Sequence, residues 1–544
     1  MDDSNLDEKS INETTRSLDI SDVKYNDDGV IDFYWPLDNK NAAVVMNNLV
    51  ESLIPFIIEN EKKNSELLAI RVFFKWFIMD ILKLYEATAL SAAFKRDGVI
   101  PVIPHNYKYF DAIYNSKQIE CRLFINNAKG PSYGRNINFV IKKLAKELIW
   151  NGLKIGLLKK YCNKKNEILC IEPSRLTIKH AKSIDKLARY SSFTQWFSSI
   201  SDSVILKNRK DMGAIEDILQ IVKTAYAVGG QELQPKIAYY LKGWICQANN
   251  FLDYYLNQKT SLLNMEQKEV WFGSGGSTIW HVMLIEKLKR DGIKVVTHDH
   301  GSGNAHHEQT PVHWVEFMHT NHHITFNKKL AEIKREQLNP KLLIGQPTPI
   351  IQSLDEASDN VALAYEARII KKKCVIKKVM YIGTAFHGED TRLRPIFHDM
   401  TYFDWQVKLL SHLKNKDMDV MYKPHPEGAT RVPVGFAESF GFQTINKRLE
   451  EVKDDVDAYI IDFIFSSTTP LVLKTDKPVF FVNLGFPELL PEAKKLIKKR
   501  CYYMDADYSN DSRLNIDWSK FDKFLSNVDH IFDMNFPYVY FKNT

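Results

Sequence analysis

The chain has 544 residues, which is too long for one hydrophobic core and favours two domains. Its 44% hydrophobic and 26% charged residues are typical of a globular protein, and a formal net charge of +6 argues against a dedicated nucleic-acid-binding protein. The six cysteines have no short repeated spacing, which argues against a disulfide framework and a zinc ribbon and is typical of a reducing compartment. The acidic N-terminus lacks the pattern of a signal peptide, and the longest apolar stretch, residues 72–94, is interrupted by charged side chains. We therefore predict a cytoplasmic protein.

The first 350 residues are predicted to form a tail and one domain. Residues 1–29 are polar and are expected to be a disordered tail. Residues 30–350 are expected to form an N-terminal domain with a large helical portion, because apolar residues recur at helical spacing up to about residue 253. From residue 268 the segments "KEVWFGSGG", "STIWHVMLIEKLKRDG" and "IKVVTHDHG" indicate a strand, a helix and a strand. Such a β-α-β unit implies a parallel sheet.

The second half of the chain is predicted to form another α/β domain. Residues 351–378 are charged and are interpreted as a linker. Across residues 379–505, strand-like segments such as "KVMYIGTAF", "MDVMYKPHP" and "AYIIDF" alternate with helical ones, and residues 506–544 are expected to pack back on the domains. The predicted fold class is α/β, with two Rossmann-like domains facing a cleft and a large helical N-terminal portion.

Ligands of open parallel sheets bind outside the carboxyl ends of the strands. Three loops of the second domain are predicted to reach that edge of its sheet. The first contains Gly383 and Thr384. The second, "KPHPEG", contains Lys423 and His425, whose backbone two prolines restrict. The third, "FSSTTP", contains Ser466, Ser467 and Thr468. Taken singly, the third loop is a helix cap and the second a strand-end turn, but together they predict a site for the phosphate of a nucleotide.

The pair of motifs "KPHPEG" and "FSSTTP" resembles the His-Pro and Ser-Ser/Thr motifs of GT-B glycosyltransferases that build bacterial surface polysaccharides. That group includes sialyl- and polysialyltransferases, capsule Kdo transferases and the CDP-glycerol polymerases of teichoic acid synthesis. The resemblance covers roughly residues 378–490 and implies a CMP- or CDP-activated donor held by the C-terminal domain. It implies that His425 contacts the donor phosphate, and that Ser466 and Ser467 contact phosphate or the cytidine.

On this resemblance we expect a GT-B enzyme that moves a nonulosonic acid or Kdo from a CMP-activated donor to a glycan or lipid-linked acceptor, in capsule or lipopolysaccharide synthesis. No metal and no further cofactor are expected, because histidine, lysine and a helix dipole can neutralise the leaving phosphate. The alternatives are a CDP-glycerol-type transferase or UDP-sugar epimerase of the same fold, and a non-catalytic glycan- or partner-binding protein on a transferase scaffold. A nucleic-acid partner is not expected.

A general base that activates the acceptor hydroxyl is expected from the first domain, across the cleft. The segment "THDHGSGNAHHEQ" follows a predicted strand and resembles the His-Gly loop of several capsule-type transferases. The candidates in it are Asp299, His300 and Glu308. Its histidines also allow a metal site or an incidental surface cluster, but none of them form a pair with i,i+4 spacing in a predicted helix, and no cysteine assists.

A second acceptor-side loop is formed by Gly273, Ser274, Gly275 and Gly276. Its amides either bind an anion or a hydroxyl group, or the glycines allow close packing of strand and helix.

Two arginines and two runs of lysines each allow a structural and a functional interpretation. Arg392 and Arg394 either pair with the carboxylate of a nonulosonic acid or pair with the loop acids Glu389 and Asp390. The lysine runs within residues 371–378 and 494–500 are either a solvated surface or a contact with anionic lipid, which leaves open a peripheral association with the inner membrane.

Overall fold

The computed structural model describes residues 15–127, 167–184, 187–191, 200–207, 213–257, 269–299, 306, 313–354, 368–389, 398–426, 431–466, 468–485 and 488–541. Within these ranges the chain is mixed α/β, with two six-stranded parallel sheets and a large helical portion near the N-terminus. The prediction of an α/β protein with parallel sheets is therefore confirmed.

The N-terminal half is rich in helices. They are α1 (Asn39–Asn60), α2 (Ser65–Val72), α3 (Phe74–Arg96), α4 (Lys108–Tyr114), α5 (Leu123–Asn127), α6 (Arg175–Ser183), α7 (Asp202–Ile205), α8 (Ile215–Val228) and α9 (Pro235–Leu256). Helix α1 buries Leu49, Leu53 and Ile57 completely and packs against α3 and α8, because its apolar residues recur at helical spacing. Among the described helices, its segment Asn41–Asn60 alone is long and apolar enough to qualify as a membrane span by length and composition, with a mean hydropathy of 1.4.

Residues 15–30 are ordered, whereas the sequence predicts a disordered tail for residues 1–29. Four short strands organise this region: β1 (Thr15–Ser17), β2 (Tyr25–Asn26), β3 (Gly29–Val30) and β4 (Ile100–Val102). Strand β1 pairs with β4 in parallel, and β2 and β3 form a hairpin. The N–H of Val30 donates to Oδ1 of Asp404 in the second domain over 2.8 Å. The composition of the segment is polar, but Leu18, Ile20 and Val30 are buried, and the burial of these apolar side chains stabilises its structure.

The first sheet has the strand order β10–β9–β8–β7–β5–β6, with every pair parallel. Its strands are β5 (Glu167–Ile171), β6 (Leu187–Ser191), β7 (Glu269–Phe272), β8 (Lys294–His298), β9 (His322–Thr325) and β10 (Ile350–Ser353). Helix α10 (Ile279–Arg290) joins β7 to β8, which confirms the predicted β-α-β unit. A π-helix (His313–Phe317) precedes β9, and α11 (Lys328–Gln337) and a 3-10 helix (Pro340–Leu343) follow it. The chain reverses its direction across the sheet between β5 and β7, which makes that crevice the switch point where ligands of such sheets bind.

The second sheet has the strand order β14–β13–β12–β15–β16–β17 and is also entirely parallel. Its strands are β12 (Lys378–Ile382), β13 (Asp419–Lys423), β14 (Gln443–Thr444), β15 (Ala458–Ile461), β16 (Val479–Asn483) and β17 (Tyr502–Asp505). Its helices are α12 (Asp399–Asn415), a 3-10 helix (Glu438–Phe440), α13 (Leu449–Val452), α14 (Thr469–Leu473) and α15 (Pro491–Arg500). Strands and helices alternate along this part of the chain as predicted, and the switch point of the sheet lies between β12 and β15.

The predicted linker and C-terminal segment come together in the structure. Strand β11 (Ile369–Lys373) lies within the predicted linker and pairs in antiparallel fashion with β20 (Asp529–Asp533). The other C-terminal elements are β18 (Asp507–Tyr508), β19 (Leu514–Asn515), α16 (Trp518–Leu525) and α17 (Asn535–Phe541). Helix α17 packs against α11 of the first domain and against α14 and α15 of the second, and so connects the two.

Candidate functional site

The three predicted loops of the second domain leave three adjacent strands at the same edge of the sheet. Strand β12 lies between β13 and β15, so the loop that begins at Gly383 lies between the loops that contain His425 and Ser466. The N–H of Gly383 donates to the carbonyl of Lys423 over 3.2 Å, which continues the strand pairing into the loops. The structure therefore brings the three loops together at the switch point of the second sheet.

A buried carboxylate supports these loops from below. Asp462, directly after β15, is 2% exposed and accepts hydrogen bonds from the hydroxyls of Tyr381 and Tyr402 and from the indole N–H of Trp405. Burial raises the pKa of Asp462 to about 6, although the three donors oppose this shift. The hydroxyl of Tyr402 also accepts from the N–H of Thr384 over 2.7 Å. One network thus fixes the start of the first loop relative to the start of the third.

The third loop, "FSSTTP", which we call the serine loop, presents hydroxyl groups just before α14. Oγ of Ser466 lies 2.7 Å from Oγ1 of Thr468 and accepts the N–H of Thr468 over 3.3 Å. Thr468 occupies the N-cap position of the helix, one residue before the first helical residue, Thr469. Ser467 lies outside the described residues. The turn presents paired hydroxyls at the switch point, and their contact with a nucleotide stays a prediction.

Lys423 and His425 lie on the next strand and the loop that follows it. His425 is half-buried at the end of β13. Nζ of Lys423 donates to the carbonyl of Lys447 over 2.7 Å, and burial lowers the pKa of this ammonium. Among the described residues, one of its three N–H groups is engaged, by the carbonyl of Lys447. Arg392 and Arg394 lie outside the described residues.

The loop after β12 is also attached to the N-terminal helices. Asp399, in the first turn of α12, accepts the backbone N–H groups of His387 and Gly388 over 2.7 and 2.8 Å. Glu389 accepts the backbone N–H groups of Tyr109 and Phe110, at the start of α4. The first loop is thus held on both sides, by its own domain and by the helical portion.

Loops from the carboxyl edges of the two sheets contact each other. The imidazole of His306, in the segment that follows β8, stacks on the ring of Phe465 in the serine loop, with centroids 5.2 Å apart. The carbonyl of His306 accepts the N–H of Leu490, in the loop after β16, over 3.1 Å. His300 and Glu308, two of the three predicted bases, belong to this segment and lie outside the described residues.

The environment of Asp299 argues against its predicted role as the general base. Asp299 is completely buried, and its carboxylate accepts from Nζ of Lys334, Nε2 of His323 and the hydroxyl of Thr325. Burial alone would raise the pKa of Asp299, but Lys334 and His323 outweigh it and hold that pKa below its ordinary value. A buried carboxylate that binds protons weakly and is saturated with donors cannot take a proton from an acceptor. Asp299 is a structural member of a buried ionic network.

The same network contains a group of side chains with the donor set of a metal site. Ligand atoms of Asp299, Glu316 and His323 lie within 4.8 Å of one another. Nζ of Lys334, however, contacts Asp299 and lies 2.6 Å from Oε2 of Glu316. The lysine ammonium lies among these side chains and supplies positive charge beside the two carboxylates.

Backbone atoms of neighbouring segments pack directly against the glycine-rich loop of the first domain. A Cβ added to Gly273 would overlap Glu172 and Ser174, and one added to Gly275 would overlap Val315. The N–H of Gly276 donates to the carbonyl of Val315. At Gly273, Gly275 and Gly276 the geometry favours the close-packing interpretation over the anion-binding one, while Ser274 is half-buried with its Oγ 3.2 Å from Oγ of Ser277.

An acid that the sequence did not single out lies at the switch point of the first sheet. Glu172 follows β5 directly and has a φ of +45°, a left-handed conformation that is rare for non-glycine residues and is found at functional sites. Its side chain is 33% exposed, and burial raises the pKa of this carboxyl. Oε2 of Glu172 lies 3.7 Å from Nε2 of the buried His281, whose Nδ1 lies 3.0 Å from the hydroxyl of the exposed Ser277. The signal in the sequence was the short apolar run "ILCI" followed by "EPS", within a region that otherwise has helical periodicity.

A second acid lies at the contact between α3 and the second domain. Oε1 of Glu86 is 4.0 Å from Nε2 of His398, whose ring contacts that of Trp35 at a tilt, with centroids 3.9 Å apart. Burial and the neighbouring Glu389 raise the pKa of Glu86 to about 7, and burial lowers the pKa of His398 to about 3. Two carboxyl groups with raised pKa values thus lie on the side of the first domain and its helices.

No protein-family model matches the chain, and no curated protein sequence matches it significantly.

Proposed function

We propose that this chain is a GT-B glycosyltransferase that transfers a sugar from a CMP-activated donor to a glycan acceptor in the synthesis of a bacterial surface polysaccharide. The preferred donor carries a nonulosonic acid or Kdo. In this proposal the second domain binds the nucleotide, the first domain and its helices bind the acceptor, and the two α/β domains face each other across a cleft.

The observation that carries the proposal is the adjacency of three loops at one switch point. The motifs at His425 and Ser466 are separated along the chain by α13 and β14, yet they leave strands that flank β12. A phosphate between these loops would meet an imidazole, hydroxyl groups and the partly engaged ammonium of Lys423. Donors of this type stabilise a phosphate leaving group without a metal.

The base is assigned to the acceptor side. Glu172 has the properties that a general base needs: it is partly exposed, its pKa is raised, and it lies at the switch point of the first sheet. In the proposed step, its carboxylate accepts the proton of the acceptor hydroxyl while that oxygen bonds to the anomeric carbon. The bond from that carbon to the phosphate oxygen breaks, and CMP leaves with the electron pair. His300 and Glu308 stay candidates for the same role.

The proposal is tested by incubating the full chain with CMP-Kdo or a CMP-nonulosonate and an oligosaccharide acceptor. We expect release of CMP and an acceptor whose mass increases by one sugar residue. The His425→Ala variant should lose most of this turnover, while the His105→Ala variant, at an exposed histidine, should keep it. Conversion of a UDP-sugar to its epimer without an acceptor, or no reaction with any CMP-sugar, would contradict the proposal.

A further inference from the structure

Four exposed aliphatic side chains lie on or next to a two-stranded ribbon formed by β11 and β20. Ile369 and Ile531 project from its outer face and are 66% and 64% exposed, because the register pairs Lys371 with Ile531 and places Ile369 two residues before that lysine. Val375 and Val528 lie beside the strand ends and are 59% and 38% exposed. The ribbon therefore presents an apolar strip to the exterior.

Six exposed lysines surround this strip. They are Lys371, Lys373, Lys498, Lys499, Lys520 and Lys523. In the part of the chain that the structure describes, none of the six forms a salt bridge. The two lysine runs that the sequence shows far apart thus meet on one face, where Asp529 lies opposite Lys373 in the register of the ribbon.

Two shallow grooves connect the lysines to the aliphatic side chains. One, of about 390 Å³, is lined by Lys498, Lys499, Lys520 and Ile531 among others. The second, of about 420 Å³, is lined by Val375, Lys523 and Val528 among others.

The acids of this face are fewer than its lysines. They are Asp505, Asp522, Asp529 and Asp533, of which Asp505 is paired with Lys494 over 3.1 Å and Asp522 with Lys416 over 2.7 Å. The face therefore has an excess of positive charge around an apolar centre.

We propose that this face, the β11–β20 ribbon with the adjoining surfaces of α15 and α16, docks on a bilayer that contains anionic phospholipid. Unpaired lysines are attracted to the negative surface potential of such a bilayer, and exposed aliphatic side chains enter its interfacial layer. A nucleic acid would satisfy the lysines but would leave the aliphatic strip in water, so the lipid surface fits the whole face better. This inference does not depend on the chemistry of the proposed transfer.

The test is co-sedimentation of the full chain with phosphatidylcholine vesicles prepared with and without phosphatidylglycerol. We expect binding only to the vesicles that contain phosphatidylglycerol, and weaker binding as salt concentration rises. The double variant Lys498→Glu/Lys499→Glu should reduce partitioning about tenfold or more, and Ile531→Asp should also reduce it. The matched control, Lys328→Glu/Lys329→Glu, makes the same charge change at two exposed lysines of the first domain and should retain binding. Unchanged thermal midpoints in all variants show that the fold is intact.

Equal binding to both kinds of vesicle, or no binding to either, would overturn the proposal. Equal loss of binding in the Lys328→Glu/Lys329→Glu control would show that net charge alone is responsible, which also overturns it. So would a concentration-dependent dimer that Ile531→Asp abolishes, because the strip would then be covered by a second copy of the chain.

Discussion

The imidazole of His306 stacks on the ring of Phe465 at a centroid distance of 5.2 Å, and this contact links the first domain to the serine loop of the second. His306 is completely buried, and the rings of Phe536, Tyr540 and Phe541 in α17 surround it. Because Phe465 directly precedes Ser466, the position of the serine loop depends on a residue from the other domain.

Replacing His306 by alanine should therefore destabilise the protein and loosen the serine loop. Removal of a large buried side chain leaves a cavity and should lower the free energy of unfolding by about 2–5 kcal/mol. The measurement is urea denaturation, with His105→Ala at an exposed histidine as the control that should change little. An unchanged unfolding midpoint for His306→Ala would mean that the stacking contact does not hold the loops together.

The buried ionic network of the first domain gives a second prediction. Lys334→Met leaves the carboxylates of Asp299 and Glu316 without their shared cation, and breaking a buried pair in this way should cost about 3–5 kcal/mol. Lys329→Met is the matched control, because its pair with Glu332 is exposed and should contribute about 0–1 kcal/mol. Urea denaturation of the two variants measures the difference. Similar midpoints for both would show that the network is not a stabilising element.

The assignment of the base gives a third prediction. Glu172→Gln should leave the affinity for CMP nearly unchanged and lower turnover by a factor of about 10²–10⁴, the usual contribution of a positioned base. Because the pKa of Glu172 is raised, the wild-type rate should rise with pH through a value above that of an ordinary glutamate, and the variant should lack this limb. Steady-state kinetics across pH, with Glu336→Gln at an exposed acid as the control, provide the measurement. Full turnover in Glu172→Gln together with loss in His300→Ala or Glu308→Gln would move the base to the segment after β8.

The pH dependence of stability gives a fourth prediction, at His398. Burial lowers the pKa of His398 to about 3 from an ordinary value of 6.5, so the unfolded chain binds a proton between these values and the folded chain does not. The contribution of His398 is therefore fully present above pH 6.5 and is lost as the pH falls toward 3. The difference in thermal midpoint between wild type and His398→Gln should shrink as the pH falls from 7 to about 4.5. The raised pKa values of Asp399 and Asp462 act in the opposite direction and are common to both proteins. Glu86, whose pKa is raised to about 7, lies 4.0 Å from His398, so the same comparison in a Glu86→Gln background isolates the contribution of His398. A constant difference across this range would show that His398 is protonated in the folded state.

The second sheet was predictable because its central strands are continuous apolar runs between loops rich in glycine, proline and serine. The first sheet was only half predictable. Strand β5 is a short apolar run inside a helical region, where periodicity does not separate the two structures. Strand β9, "HHIT", contains the buried His323, which is stable there because Asp299 accepts its hydrogen bond. Strand β11, "IIKKK", looked like a linker because its lysines face outward or pair, as Lys372 does with Asp476.

The buried environment of Asp299 was not predictable for a related reason. Its position after a strand correctly placed it at the carboxyl edge, but position alone does not reveal burial. Its partner Lys334 is 35 residues further along the chain and comes from α11. Glu172 was missed because the feature that distinguishes it, a left-handed backbone at a switch point, appears only when the strand order is known.

The central claim is that the second domain binds a cytidine nucleotide through His425 and the serine loop, and nucleotide binding tests it most directly. The measurement is the thermal midpoint of the wild type and of His425→Ala against rising CMP, CDP, UMP, UDP and GDP, because a ligand that binds only the folded state raises the midpoint with its saturation. We predict that CMP or CDP stabilises the wild type, that the uridine and guanosine nucleotides do so much less, and that His425→Ala weakens CMP binding about ten- to a hundredfold through loss of one charge-assisted hydrogen bond. Equal shifts with all five nucleotides, no shift with any, or an unchanged CMP affinity in His425→Ala would contradict the account.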